Sequence, residues 1–107
     1  HYLWAEKKAE DCWVLMHSWA PTSDPTAVCH DPRNPIVGPA KGGFDSRDVE
    51  YPFPVHNHAD GRYYMYYLGN QTMPRCKQTG LLVSDGDLGS WERMGSEPVV
   101  SRTGDHE

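Results

Sequence analysis

The chain has 107 residues, and its ten Lys and Arg against 15 Asp and Glu give a net charge of −5. This length fits one small domain. The sequence has no basic stripe, which predicts that nucleic acid is not a partner. Its longest apolar run is far shorter than the roughly 20 residues that a membrane-spanning helix needs, so we expect no membrane span.

Short aromatic segments dominate the sequence. Its four Trp and six Tyr lie in segments that ten Gly and nine Pro separate. Aromatic-rich segments broken by Gly and Pro are typical of β-strands and turns. The strongest helix candidate, residues 6–10, is too short to form a helix alone. We therefore predict an all-β chain.

The predicted strands fall into two groups. The first group comprises residues 12–19, 26–30 and 35–37, followed by a Gly-rich loop over residues 38–43. The second group comprises residues 49–56, 62–68, 81–84, 91–94 and 98–100. Asp60-Gly61 is typical of a hairpin turn. Pro52 and Pro54 lie within a predicted strand, so they need positions that make no ladder hydrogen bond.

The two groups resemble an internal repeat, because residues 13–18 align with residues 62–67. Residues 26–30 then match 80–84, and residues 35–37 match 98–100. A repeat of about 50 residues with about four strands is the period of a β-propeller blade. Residues 63–68 are apolar or aromatic on both faces, so we expect a neighbouring layer on each side. A β-sandwich is the alternative.

We therefore predict four-stranded antiparallel blades of a β-propeller. One blade-like repeat covers about residues 1–43, a second covers about residues 44–101, and a further segment starts at residues 102–107. Because a propeller typically has 4–8 blades, about two blades form an incomplete one. Either further blades of a longer chain or a homo-oligomer would complete the ring.

Several motifs of the second repeat resemble glycoside hydrolases with a five-bladed β-propeller, those of families 43 and 32. The motifs are FDSRDVEYP at residues 44–52 and DGRYYMYYLG at residues 60–69. The later run GLLVSDG at residues 80–86, with Trp91 and residues 98–100, resembles the outer half of the same blade type. The resemblance covers residues 11–107. It implies hydrolysis, or phosphorolysis, of a glycosidic bond in a carbohydrate substrate. It also implies Glu50 as the general acid, because the proton donor of those families often stands two residues before a proline.

The residues around Glu50 support acid chemistry independently. If residues 47–53 form a strand, Asp48 and Glu50 share one face. Two neighbouring carboxylates repel each other, which favours protonation of one of them. We therefore predict Glu50 and, less strongly, Asp48 as catalytic residues. A residue of a missing blade is a candidate for the nucleophile or base. The alternatives are a solvated loop carboxylate for Glu50, and a turn or a salt bridge with Arg47 for Asp48.

Three residues are candidates for substrate binding: Arg47, Trp19 and His17. Trp19 stands near the end of its predicted strand, where its ring can stack on a sugar. His17 shares that face, and packing between blades is the alternative for the tryptophan. The tyrosines between residues 51 and 67 are predicted to be mostly core.

The sequence predicts neither a metal nor a cofactor. His56 and His58 stand two residues apart, but no third ligand is placed by the sequence. The chain contains no phosphate-binding loop, dinucleotide fingerprint or Gly-x-Ser-x-Gly motif. The three cysteines form no C-x-x-C pair and are expected to be buried free thiols. Residues 70–72 match a glycosylation sequon, which has meaning only in a secreted protein.

Two other functions fit the same pattern. A two-blade module that oligomerises into a full propeller would bind sugars as a lectin does, without chemistry. A propeller that serves only structure or protein interaction is the third possibility, because fold alone does not establish an activity.

Overall fold

The computed structural model describes residues 1–8, 12–71, 76–95 and 97–100. These residues form two antiparallel sheets and no helix, so none of the described segments is a long apolar helix of the kind that crosses a membrane. The all-β prediction is confirmed. The further segment predicted at residues 102–107 lies outside the described residues.

The first sheet has the strand order β1-β2-β3. Its strands are β1 Tyr2–Lys8, β2 Cys12–Trp19 and β3 Cys29–His30. The second sheet has the order β4-β5-β6-β7. Its strands are β4 Asp48–His56, β5 Tyr63–Gln71, β6 Cys76–Ser84 and β7 Glu92–Arg93.

Strand β1 was not predicted from the sequence. Residues 6–8, which lay in the helix candidate, belong to this strand. It pairs with β2 along its whole length, from Tyr2 opposite Ser18 to Lys8 opposite Cys12. Leu3 and Ala5 pack against the core from this strand. Pairing and burial therefore outweigh the local signal of the charged residues.

The third strand of the first sheet is shorter than predicted. Residues 26–28 lie in a turn, because the Asp24 carboxylate accepts hydrogen bonds from the Thr26 backbone N–H and hydroxyl. Only β3 remains of the predicted strand 26–30. Predicted strand 35–37 reduces to a single bridge, between Val37 and Leu15 of β2. The first sheet thus has three strands instead of four.

Strand β4 lies at the edge of its sheet, so Pro52 and Pro54 interrupt no interior ladder. A bulge between Glu50 and Phe53 shifts its register against β5. Tyr51, in this bulge, has a φ of 52°, which is rare for a residue with a side chain. The predicted Asp60-Gly61 turn lies between β4 and β5, with Gly61 at a φ of 74°.

The core lies where the two sheets meet, with β4 packed against β1 and β2. Its buried residues are Leu15, Val37, Phe44, Val49, Met65, Tyr67 and Leu82. Sequence-aligned strands β2 and β5 are both the second strand of their sheet, and β3 and β6 are both the third. The third match fails, because Val37 pairs with β2 whereas Val100 pairs with Thr79 of β6.

One face of the second sheet remains uncovered by the described residues. Opposite residues of an antiparallel pair share a face, so the register defines this outer face as Phe53, Val55, Tyr64, Tyr66, Leu68, Leu81 and Val83. Phe53 is 66% exposed and Tyr66 is 44% exposed. The prediction that neighbouring layers cover both faces of β5 holds for its core face only.

We expect Gly80→Ala to destabilise the fold. A Cβ at residue 80 would lie 2.6 Å from the Tyr67 hydroxyl oxygen, so the buried tyrosine must move. Overpacking of this kind costs about 1–3 kcal/mol, which urea denaturation would measure. Gly38→Ala is the matched control, because a Cβ there meets no atom within 4 Å. Equal unfolding free energies for the two variants would contradict the packing described.

Candidate functional site

A cleft of about 430 Å³ opens beside the start of β4. We call it the β4 cleft. It is lined by Trp13, Arg47, Asp48, Glu50, Tyr51, Asn70 and Lys77. The structure therefore brings together three of the predicted site residues, Arg47, Asp48 and Glu50. Residues Tyr51, Asn70 and Lys77 are additions that the sequence did not indicate.

The sheet register explains why these side chains meet. Asp48 stands opposite Asn70, and Asn70 stands opposite Lys77, so the three residues form a row across β4, β5 and β6. Glu50 lies two residues further along β4 and before the bulge, on the same face as Asp48. The register therefore places the two carboxylates on one face of the strand, as expected.

Asp48 joins the two sheets at the cleft. One of its carboxylate oxygens accepts a hydrogen bond from the Trp13 backbone N–H at 3.0 Å, and the other accepts one from Asn70 Nδ2 at 3.1 Å. Arg47 Nη1 lies 3.7 Å from Asp48 Oδ2, which is the salt bridge expected as the alternative role of Asp48. These contacts suit a buried carboxylate that holds the cleft wall in place.

Glu50 is the more available carboxylate. Its side chain is 12% exposed, and Oε1 lies 3.6 Å from Lys77 Nζ. This separation is beyond hydrogen-bond length, so the carboxylate oxygens remain open to a ligand. The catalytic role expected for Glu50 stays a prediction, and the structure places its carboxylate in the wall of the cleft.

Tyr51 is an exposed aromatic residue that lines the cleft. The residue is 70% exposed and Tyr66 is also exposed, so the prediction that the tyrosines are mostly core is wrong for these two. The positive φ of Tyr51 is a strained backbone conformation that costs about 1–3 kcal/mol and is often found at ligand sites. The bulge turns the ring out of the regular strand pattern and places it beside Glu50. A flat exposed ring suits stacking against an apolar ligand face.

His17 does not reach the cleft. It lies four residues beyond Trp13 on β2, which corresponds to about 13 Å along a strand. Its ring is buried, with Nδ1 2.9 Å from Asp31 Oδ2 and Nε2 2.9 Å from His1 Nδ1. These contacts are those of a core histidine with both nitrogens bonded.

Trp19 stands still further along β2, at its end. Its ring is partly exposed and tilts against the His17 ring at a centroid distance of 5.6 Å. The structure therefore does not bring either of these predicted substrate-binding residues to Glu50. An open hollow near the same strand end is lined by Tyr2, Trp4, Ser18, Pro25, Val28 and His30.

A charged network that begins at Asp31, the hydrogen-bond partner of His17, links the first sheet to the loop after β6. The Asp31 carboxylate, which is fully buried, accepts hydrogen bonds from Arg33 Nε and Nη2. The same guanidinium donates to Asp87. Hydrogen bonds from Arg33, with a further one from His17, hold the pKa of Asp31 well below its usual range despite burial. Arg33 likewise lowers the pKa of Asp87, to about 2.

A larger hollow of about 600 Å³ lies between the Gly-rich loop and the second sheet. At its base the buried Asp45 accepts hydrogen bonds from the Tyr67 hydroxyl at 2.7 Å and from Arg93 Nε at 2.9 Å. Burial and the Asp45 carboxylate raise the pKa of Tyr67. Arg93 also donates to the Gly38 carbonyl, so this triad fastens the Gly-rich loop to β5 and β7.

The cysteines and histidines of the described residues belong to no candidate metal site. Cys29 is exposed, so the prediction of buried thiols is wrong there. Partial burial and the neighbouring Asp48 raise the pKa of Cys12, which keeps it a neutral thiol. No group of three or more His, Cys, Asp or Glu among the described residues is placed to hold a metal ion.

Comparison with known proteins adds no family to this description. No protein-family model, no curated protein and no solved structure matched the chain. The function therefore has to be argued from the geometry of the cleft and from the sequence motifs.

We expect Arg33→Met to destabilise the protein most at neutral pH. The variant leaves the buried Asp31 without its cation, and a lost charged hydrogen bond costs about 2 kcal/mol. A carboxylate with a lowered pKa stabilises the fold above its unfolded pKa of about 3.9. That stabilisation is lost as the pH falls below this value, so the gap to the native protein should narrow between pH 7 and pH 3.

Urea denaturation at the two pH values measures the gap. Arg62→Met is the control, because Arg62 pairs with the exposed Asp85, and exposed pairs contribute little. A gap that stays constant with pH would show that the Arg33 contact does not set the titration of Asp31.

Proposed function

We propose that the chain is part of a glycosidase-like β-propeller that acts on the glycosidic bond of a carbohydrate, with Glu50 as the general acid. The observation that carries the proposal is the β4 cleft, where Glu50, Asp48 and Arg47 line one opening. Tyr51 adds an exposed ring on which the apolar face of a sugar can stack.

In this proposal the Glu50 carboxyl group gives its proton to the glycosidic oxygen while the bond from the anomeric carbon to that oxygen breaks. A second carboxylate must then attack the anomeric carbon or activate a water molecule. Asp48 is a poor candidate for that role, because both of its oxygens already accept hydrogen bonds. We propose that the second carboxylate comes from a further blade.

The outer face of the second sheet supports this incomplete assembly. Phe53 and Tyr66 stand directly opposite each other on it, and large exposed apolar patches mark interaction sites. Glu50 and Leu68 form the next pair along the same face. A sheet packed on the outer face would therefore stand beside the β4 cleft and form its second wall.

A sugar-binding module without chemistry is the second candidate. The observation that favours it is Lys77, whose ammonium lies 3.6 Å from Glu50. A carboxylate beside an ammonium group accepts hydrogen bonds from sugar hydroxyls, which is enough for binding without chemistry. The two candidates share one ligand class and differ only in turnover.

Glu50→Gln separates them. In the assembled protein we expect it to lower the hydrolysis of 4-nitrophenyl glycosides by at least about 100-fold, since general acid catalysis contributes roughly 10²–10⁴-fold. Binding of the corresponding methyl glycosides should persist. Glu92→Gln is the matched control, because Glu92 is exposed on β7.

Undiminished hydrolysis by Glu50→Gln would remove Glu50 from the mechanism. Glycoside binding without any hydrolysis by the native protein would establish the sugar-binding module instead. If the native protein neither binds nor cleaves a glycoside, both candidates are wrong.

We also expect the isolated chain to self-associate through the outer face. Tyr66→Lys places a charge at the centre of that face and should shift the solution mass toward the monomer, as light scattering would show. Val28→Lys is the control, because Val28 is an exposed apolar residue in the loop before β3. A native chain that is monomeric at every concentration would contradict this association.

A further inference from the structure

Asn70 carries an unsatisfied polar atom at the β4 cleft. The residue is 1% exposed, and its Nδ2 donates to Asp48 Oδ2 at 3.1 Å. Its Oδ1 is the one buried side-chain atom of the described residues that has no hydrogen-bond partner. Buried acceptors in folded proteins are nearly always bonded, so this oxygen calls for a donor from outside the described chain.

Asp48 fixes which way the amide points. If the amide nitrogen and oxygen exchanged places, the amide oxygen would face a carboxylate oxygen, and both atoms are acceptors. The hydrogen bonds of Asp48 to Trp13 and Asn70 hold the carboxylate itself in place. The Asn70 amide is therefore fixed in orientation with its Oδ1 unbonded, and the residue lines the cleft.

The charges of the cleft indicate what kind of donor fits. Its two cations each lie near a carboxylate, Arg47 at 3.7 Å from Asp48 and Lys77 at 3.6 Å from Glu50. The four charges of the described cleft residues balance, so neither an anionic nor a cationic ligand would meet an excess of opposite charge. A neutral ligand with hydroxyl groups fits this balance.

We infer that Asn70 is a specificity-determining residue, whose Oδ1 accepts a hydrogen bond from one hydroxyl of a neutral, polyhydroxylated ligand. This inference rests on the proposed function and narrows its ligand from carbohydrates in general to neutral sugars. A ligand that lacks that hydroxyl leaves Oδ1 unpaired. Sites built to bond a substrate hydroxyl reject such analogues strongly, and we expect about a tenfold loss of affinity, which is the net value of one hydrogen bond.

The test uses the methyl glycoside that binds most tightly and its complete set of monodeoxy analogues. Affinities are measured by calorimetry for the native protein and for Asn70→Ala. The native protein should bind one monodeoxy analogue about tenfold more weakly than the parent. Asn70→Ala should bind that analogue and the parent equally, while discrimination at the other hydroxyls persists.

Asn34→Ala is the matched control. The Asn34 amide is bonded at both ends to the His17 backbone, with Oδ1 accepting and Nδ2 donating at 2.8 Å. This variant should lower stability and leave the deoxy discrimination unchanged. If Asn70→Ala does not fold, the side-chain amide resonance of Asn70 in the native protein gives the same answer, because it should shift with the parent glycoside and not with the rejected analogue.

Three results are distinguishable. Loss of discrimination at one hydroxyl in Asn70→Ala, or the selective amide shift, supports the inference. Glycoside binding with every discrimination intact in Asn70→Ala, or an amide that responds to all analogues alike, overturns the role of Asn70 and leaves the proposed function standing. Failure of every neutral methyl glycoside to bind overturns the proposed function and the inference with it.

Discussion

Burial of β4 against the first sheet is the constraint on which the site depends. Val49 is completely buried in the core, while its neighbours Asp48 and Glu50 project to the other face of the strand. Because strand side chains alternate, a register slip of one residue would move Val49 out of the core and both carboxylates into it. The apolar contact with Leu15 and the other core residues therefore also determines where the acidic side chains lie. Asp48 adds a polar link at the same place, through the Trp13 backbone.

The cleft combines one carboxylate whose hydrogen bonds are complete with two polar side chains whose hydrogen bonds are not. Asp48 uses both oxygens to hold neighbouring groups, whereas Glu50 has an ion pair beyond hydrogen-bond length and Asn70 has a free acceptor. The strained Tyr51 extends the cleft outward. Natural proteins keep such local costs mainly where a ligand or a partner offsets them. This combination is what makes the β4 cleft a better candidate than the larger hollow at Asp45, where the described polar groups bond one another.

The outer face connects the fold to its proposed assembly. Its exposed Phe53 and Tyr66 continue directly into the Glu50–Leu68 pair, so anything that covers the apolar face also borders the cleft. A further sheet that covered the outer face would then complete the fold and the cleft together. A glycosidase needs two carboxylates, and the described chain offers one that is available.

The sequence alone determined the all-β class, strand β2 to the residue, and most of β4 and β5, because aromatic and β-branched runs between Gly and Pro signals are local information. It also determined that Asp48 and Glu50 share a face, which follows from the strand period. Strand β1 was missed because its charged half looks helical until β2 pairs with it. The roles of Asn70, Lys77 and His17 were decided only by tertiary structure. Which side chains stand opposite Asp48 depends on hairpin length and register, and whether His17 is exposed depends on Asp31 and His1, which reach it only after the chain has folded.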